Sequence, residues 1–133
     1  MIECKRVYEP VGPQDGRRVL VDRLWPRGVA KDALALDGWL KEVAPSTGLR
    51  QAFGHDPAHF AEFERRYRAE LAAHPEHWWG LLEQARQGRL TLLYAARDER
   101  QNNARVLAEF LEDELERQGP GSSPACYAHE QPE

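Results

Sequence analysis

Two runs carry the side chains best suited to chemistry. One is Asp22-Arg23-Leu24-Trp25-Pro26-Arg27-Gly28, and the other spans Tyr94, Arg97, Asp98, Gln101, Asn102 and Asn103. Each follows an apolar stretch that reads as a strand. In open α/β sheets ligands bind beyond the carboxyl ends of strands. If the two strands are neighbours, the loops converge on one edge. Guanidinium groups would then face free backbone N–H groups at a helix N-terminus, an arrangement that suits a phosphate or carboxylate. The expected ligand-binding set is Arg23, Trp25, Arg27, Gly28, Gln101 and Asn102, with Asn102 and Asn103 orienting the ligand by hydrogen bonds. Asp22 and Asp98 are the nearby acid–base candidates. Any catalysis would rest on positioning and on stabilising developing negative charge.

Each of these residues also has a plainer role. Asp98 heads an Asp-x-x-Gln capping box, and the cap reading leads over the acid. Asp22 and Arg23 are equally suited to pairing with other charges at a strand end. Trp25 and Tyr94 are large enough to be core residues. His55, His59, His74 and His77 do not form a metal set at a recognised spacing. Cys4 reads as a small buried hydrophobe, and Cys126 lies in a tail without an electropositive setting. No glycine-rich nucleotide loop, P-loop or nucleophile elbow occurs. The expectation is no metal and no cofactor.

The elements that must position these runs follow from pattern. Ile2 to Tyr8 reads as an edge strand. Arg18 to Arg23 and Arg89 to Ala96 read as strands buried on both faces, as in a parallel sheet. Leu36, Trp39, Leu40 and Val43 have helical spacing, ended by Pro45. Ser46 is a candidate N-cap for a short helix burying Leu49 and Phe53, ended by Gly54. Asp56-Pro57 opens a helix with Phe60, Phe63, Tyr67 and Leu71 on one stripe. His74-Pro75 opens another, burying Trp78, Leu81, Leu82 and Ala85, and a last helix follows Asp98. The fold class is therefore α/β: a small, mostly parallel sheet of three strands, with room for a fourth, flanked by about five helices on both faces. Residues 1–118 form a single domain, and 119–133 read as a flexible tail rich in Gly, Ser and Pro.

Composition bounds the function. The chain has 133 residues, with 18 Lys and Arg against 22 Asp and Glu. Residues 1–31 carry seven bases and four acids, whereas 109–116 carry five acids and no base. A net charge of −4 argues against broad nucleic-acid binding, which needs a basic surface. No apolar run approaches the ~18 residues of a membrane helix. A charged start is unlike a secretory signal, and two cysteines far apart suggest no disulfide framework. The expected compartment is the cytoplasm.

Several runs resemble one bacterial family. They are Cys4-Lys5-Arg6-Val7-Tyr8, Asp15-Gly16, and Arg18 through Gly28 with its Val-Asp-Arg-Leu-Trp-Pro-Arg-Gly core. Pro45-Ser46-Thr47, Leu49-Arg50, Ala52-Phe53, Leu90 to Tyr94, and Gln101-Asn102-x-Ala104 continue the likeness. The chain is similar over residues 2 to about 117 to the YeaO-like branch of the family called domain of unknown function 488. The resemblance implies one compact cytoplasmic α/β domain. A sister branch has a run resembling Cys-His-Arg after its last strand, where this chain has Gln101-Asn102-Asn103. The family's motif residues fall on Asp22, Arg23, Trp25, Arg27, Gln101 and Asn102.

Two functional readings follow. The leading one is a small-molecule site, enzymatic or sensory, that recognises an anionic group through Arg23 and Arg27. The other is a protein-interaction or regulatory module without catalytic activity, its arginines structural. Self-association is compatible with either.

Overall fold

The computed structural model describes residues 1–53 and 56–118. Gly54, His55, Cys126 and the proposed tail thus lie outside the described residues. The strands are β1 (Ile2–Arg6), β2 (Arg17–Leu20), β3 (Gly38–Trp39) and β4 (Leu90–Tyr94). They form one sheet in the order β1-β4-β2-β3, with every pairing parallel. The helices are α1 (Thr47–Phe53), α2 (Phe60–Ala73), α3 (Pro75–Gln87) and α4 (Asn103–Gln118). Short 3-10 turns cover Lys41–Val43 and Pro57–His59.

The central strands are the apolar ones. All five β4 residues are buried, which accounts for the unbroken Leu-Thr-Leu-Leu-Tyr run. β1 holds one edge, as its Lys5 and Arg6 suggest. The fourth strand forms where a helix was expected, around Leu36 to Val43. Asp37 N–H donates to the Arg18 carbonyl (2.7 Å), and Leu40 N–H to that of Leu20 (2.9 Å). The Asp37 carboxylate also accepts the Arg18 N–H (2.8 Å). These bonds pair the segment with the open edge of β2. Gly38 offers little helix propensity to oppose that pairing.

The alternation of β2 and β4 divides the core. Val19, Val21, Leu90, Leu92 and Tyr94 face the helices, meeting Phe63, Tyr67, Leu81, Leu107 and Leu111. Leu20 and Leu93 point the other way with Val7. That second face is covered by Trp25, Leu34, Leu36 and Trp39, so the expectation of helices on both faces is corrected. Pro26 and Gly28 break the chain between β2 and β3 and leave an irregular cover instead of a crossover helix. Beside it sits a buried charge group, in which Asp15 accepts from Lys5 (3.1 Å) and pairs with Arg18. Gly16, at φ +65°, lets this loop run against Arg89; an added Cβ would lie 2.4 Å from the Arg89 carbonyl oxygen.

Candidate functional site

β2 and β4 are parallel neighbours in the register Val19↔Leu92 and Leu20↔Leu93, and Val21 N–H extends the ladder to the Leu93 carbonyl (3.1 Å). The loops after them leave the same edge, as the sequence led us to expect. What the side chains do there is largely structural. Asp22 accepts the Ala95 N–H (2.9 Å) and one Asn103 side-chain N–H (3.1 Å). Its carbonyl accepts the Trp39 indole N–H (2.8 Å). One carboxylate thus ties the β2 end to the β4 end and to the first turn of α4.

Trp25 is half-buried, donates its indole N–H to the Val29 carbonyl (2.6 Å), and meets Trp39 edge-on at 5.2 Å. Gly28 supplies φ +77° in the following turn. Arg27 is exposed, and its carbonyl accepts the Tyr8 hydroxyl (3.0 Å). Its guanidinium makes no hydrogen bond or ion pair among the described residues.

The capping box falls one turn earlier than α4. Asp98 accepts the N–H groups of Gln101 (3.0 Å) and Arg100 (2.9 Å), which hold its carboxyl below the ordinary range. An exposed carboxylate in that state is a poor proton donor near neutrality. The N-cap of α4 is instead Asn102, whose side-chain oxygen accepts the Arg105 N–H (2.9 Å). Its amide donates to the Asp98 carbonyl (2.8 Å), so this buried side chain is occupied within the turn. Gln101 is exposed.

Arg23 turns toward a different feature. It donates from Nε to the Pro45 carbonyl and from Nη2 to that of Ala44, both at 3.3 Å. So held, it lines an open cleft of about 440 Å³ between the Lys41–Val43 turn, the C-terminal half of α2 and the start of α3. Of the expected site residues, Arg23 alone lines this cleft; Trp25, Arg27, Gly28, Gln101 and Asn102 lie outside its lining.

The remaining polar wall comes from residues to which sequence reasoning gave other roles. Ser46 accepts the Leu49 N–H (3.2 Å), the expected cap of α1. Its own N–H and hydroxyl donate to the two Glu70 oxygens at 3.0 and 2.6 Å. Tyr67 donates its hydroxyl to the Val43 carbonyl (2.6 Å), and burial raises its phenol far above the usual range. Glu42 adds a second carboxylate.

His74 and His77 complete the cleft with rings stacked at 4.9 Å. His74 occupies the N-cap position of α3 without a side-chain capping bond. A Glu76 oxygen lies 3.1 Å from His74 Nδ1 and 3.6 Å from His77 Nε2. The sequence reading passed over this acid, although His74-Pro75-Glu76-His77 signals it: Pro75 starts the helix, and one turn brings positions 74 and 77 together.

A family model described as "Inactive DUF488-N3 subclade" matches residues 1–128, extending into the segment read as a tail. The protein named "Uncharacterized protein YeaO" of Escherichia coli K12 is 52% identical over 110 residues, covering 83% of this chain and 96% of that protein. A Mycobacterium tuberculosis H37Rv protein, "Uncharacterized protein Rv3073c", is 42% identical over 114 residues, covering 83% of this chain and 92% of its own length. No solved structure matches the chain significantly.

Proposed function

The chain belongs to the YeaO-like group of the DUF488 family, and from that premise we propose that it is a non-catalytic binding protein for a small phosphate- or carboxylate-bearing molecule. The observation that carries this reading is Arg23, fixed by two backbone carbonyls in the wall of the cleft. A guanidinium has five N–H donors, so two bonds to the chain leave others for an anion, and the anchoring lowers the ordering cost of binding. Glu42 and Glu70 in the same wall select against bare polyanions. They favour a ligand that sets one anionic group on Arg23 and turns hydroxyl or ammonium donors toward the carboxylates.

In this reading the two acids expected from sequence lie outside the cleft lining, and the phenol within it is committed to the chain. Asp22 is bound to the chain, Asp98 is an ionised turn cap, and the Tyr67 phenol is buried and bonded. The family's description as an inactive subclade agrees. The test is a thermal-shift panel in metal-free buffer, with inorganic phosphate, hydroxy acids, amino acids and sugar phosphates. A ligand at 100 times its Kd adds about 2.7 kcal/mol, or roughly 10 °C in a domain of this size. We expect a shift of that order from at least one ligand with both group types, and less from inorganic phosphate. No shift across the panel would refute the reading and leave an interaction module with structural arginines.

A further inference from the structure

The start of α3 carries a constellation that the anion reading does not use. We propose that His74, Glu76 and His77 bind a divalent transition-metal ion of the zinc class. The donors are two imidazole nitrogens and one carboxylate oxygen, the combination of an open His₂Glu zinc site. Their spacing fits. At metal–ligand bonds of about 2.0–2.1 Å, donors at the corners of a tetrahedron lie roughly 3.3–3.4 Å apart. Here the Glu76 oxygen is 3.1 Å from His74 Nδ1 and 3.6 Å from His77 Nε2, and ligand atoms from all three residues lie within 4.8 Å of one another.

The two rings stack with centroids 4.9 Å apart and planes 13° from parallel, so one ring turns about its side chain to aim both nitrogens at one ion. Glu76 places a carboxylate in the first turn of α3. Its charge offsets the partial positive end of the helix, which would otherwise repel a cation. His74 and Glu76 are exposed, and His77 is partly so, giving an ion direct access. Both imidazoles line the cleft, so further coordination positions would be open to water or a small ligand. This inference stands without the anion reading, because it concerns capture of the metal alone.

The test uses the full chain, freed of metal by dialysis, with Zn(II) or Co(II) chloride as sole titrant. Calorimetry should give one equivalent per chain with micromolar or tighter affinity, and Co(II) should develop visible d–d bands. Loss of a residue that only orients a metal ligand weakens metal sites roughly 10–100-fold, so loss of a direct ligand should cost at least about tenfold. His74→Ala, His77→Ala and Glu76→Gln should each show that loss with an unchanged far-ultraviolet spectrum. His59→Asn and Cys126→Ser should bind as wild type. Millimolar affinity, or a tight site that survives both His74→Ala and His77→Ala, would overturn the proposal. Because no anionic ligand is present, a negative result leaves the Arg23 reading intact, and a silent anion panel leaves the metal site intact.

Discussion

Replacing Asp15 by Asn should separate the structural charges of this molecule from those free to bind. Asp15 is buried, yet it accepts the Gly12 N–H at 3.1 Å, the Lys5 ammonium at 3.1 and 3.2 Å, and Arg18. Burial pushes its carboxyl upward, but the Gly12 N–H, Lys5 and Arg18 together outweigh that, and the group sits below its ordinary value of 3.8. Arg18 is itself buried and also donates to the Ala35 carbonyl (2.8 Å). The Asp15→Asn substitution would leave that guanidinium without its charge partner. Breaking one side of a buried pair costs about 3–5 kcal/mol, a large share of the ~5–15 kcal/mol that holds a domain. For this length the loss corresponds to a fall in Tm of roughly 10–20 °C.

The sign of the pH dependence follows from the lowered folded-state value. The stabilisation is fully present above the unfolded carboxyl's value and is lost as pH falls through the folded one. Urea unfolding of wild type and Asp15→Asn should therefore differ by the full amount at pH 7. The gap should narrow on acidification below about pH 4. A difference under about 1 kcal/mol at neutrality, or one that persists unchanged in acid, would refute the assignment of Lys5 and Arg18 to the scaffold.

Three further outcomes follow. Gly16→Ala should cost more than about 2 kcal/mol, because a left-handed residue there also meets the Arg89 carbonyl at 2.4 Å. Gly28→Ala, also at positive φ but with nothing within 4 Å, should cost only about 1–2 kcal/mol; equal losses in denaturant melts would contradict the close approach. Asn102→Ala should lose about 1 kcal/mol as a missing N-cap while Asn102→Asp keeps most of it, and equal loss in both would remove the cap assignment. Burial pushes the Cys4 thiol up to about 11, so at pH 8 a Cys126→Ser protein should alkylate ~100-fold more slowly than a free thiol; reaction at the free rate would disprove the burial.

The parallel β2–β4 pair, α2 and α3 were legible because burial writes its period directly into Phe63, Tyr67, Leu71, Trp78, Leu81 and Leu82. β3 was not, because Leu36, Trp39, Leu40 and Val43 have helical spacing while long-range bonds to Arg18 and Leu20 decide their conformation. At the site, the meeting of two loops was readable, but the direction of each side chain was not. Arg23 follows the carbonyls of Ala44 and Pro45, and Asn102 takes the cap expected of Asp98. The cleft itself joins residue 23 to α2 and α3, a proximity created by tertiary packing and carried by no local pattern.

The most direct measurement compares the ligand-induced thermal shift of Arg23→Lys with that of Arg27→Ala, using the best ligand of the panel in metal-free buffer. Sequence reasoning places both arginines on one anion, whereas Arg23 lines the cleft and Arg27 is exposed outside its lining. Lysine keeps the charge of residue 23 but lacks the planar fork that could grip a carbonyl and an anion together. We expect most of the ~10 °C shift to vanish in a folded Arg23→Lys protein and to survive in Arg27→Ala. The full shift in Arg23→Lys, or its loss in Arg27→Ala, would contradict the assignment of the site to the cleft.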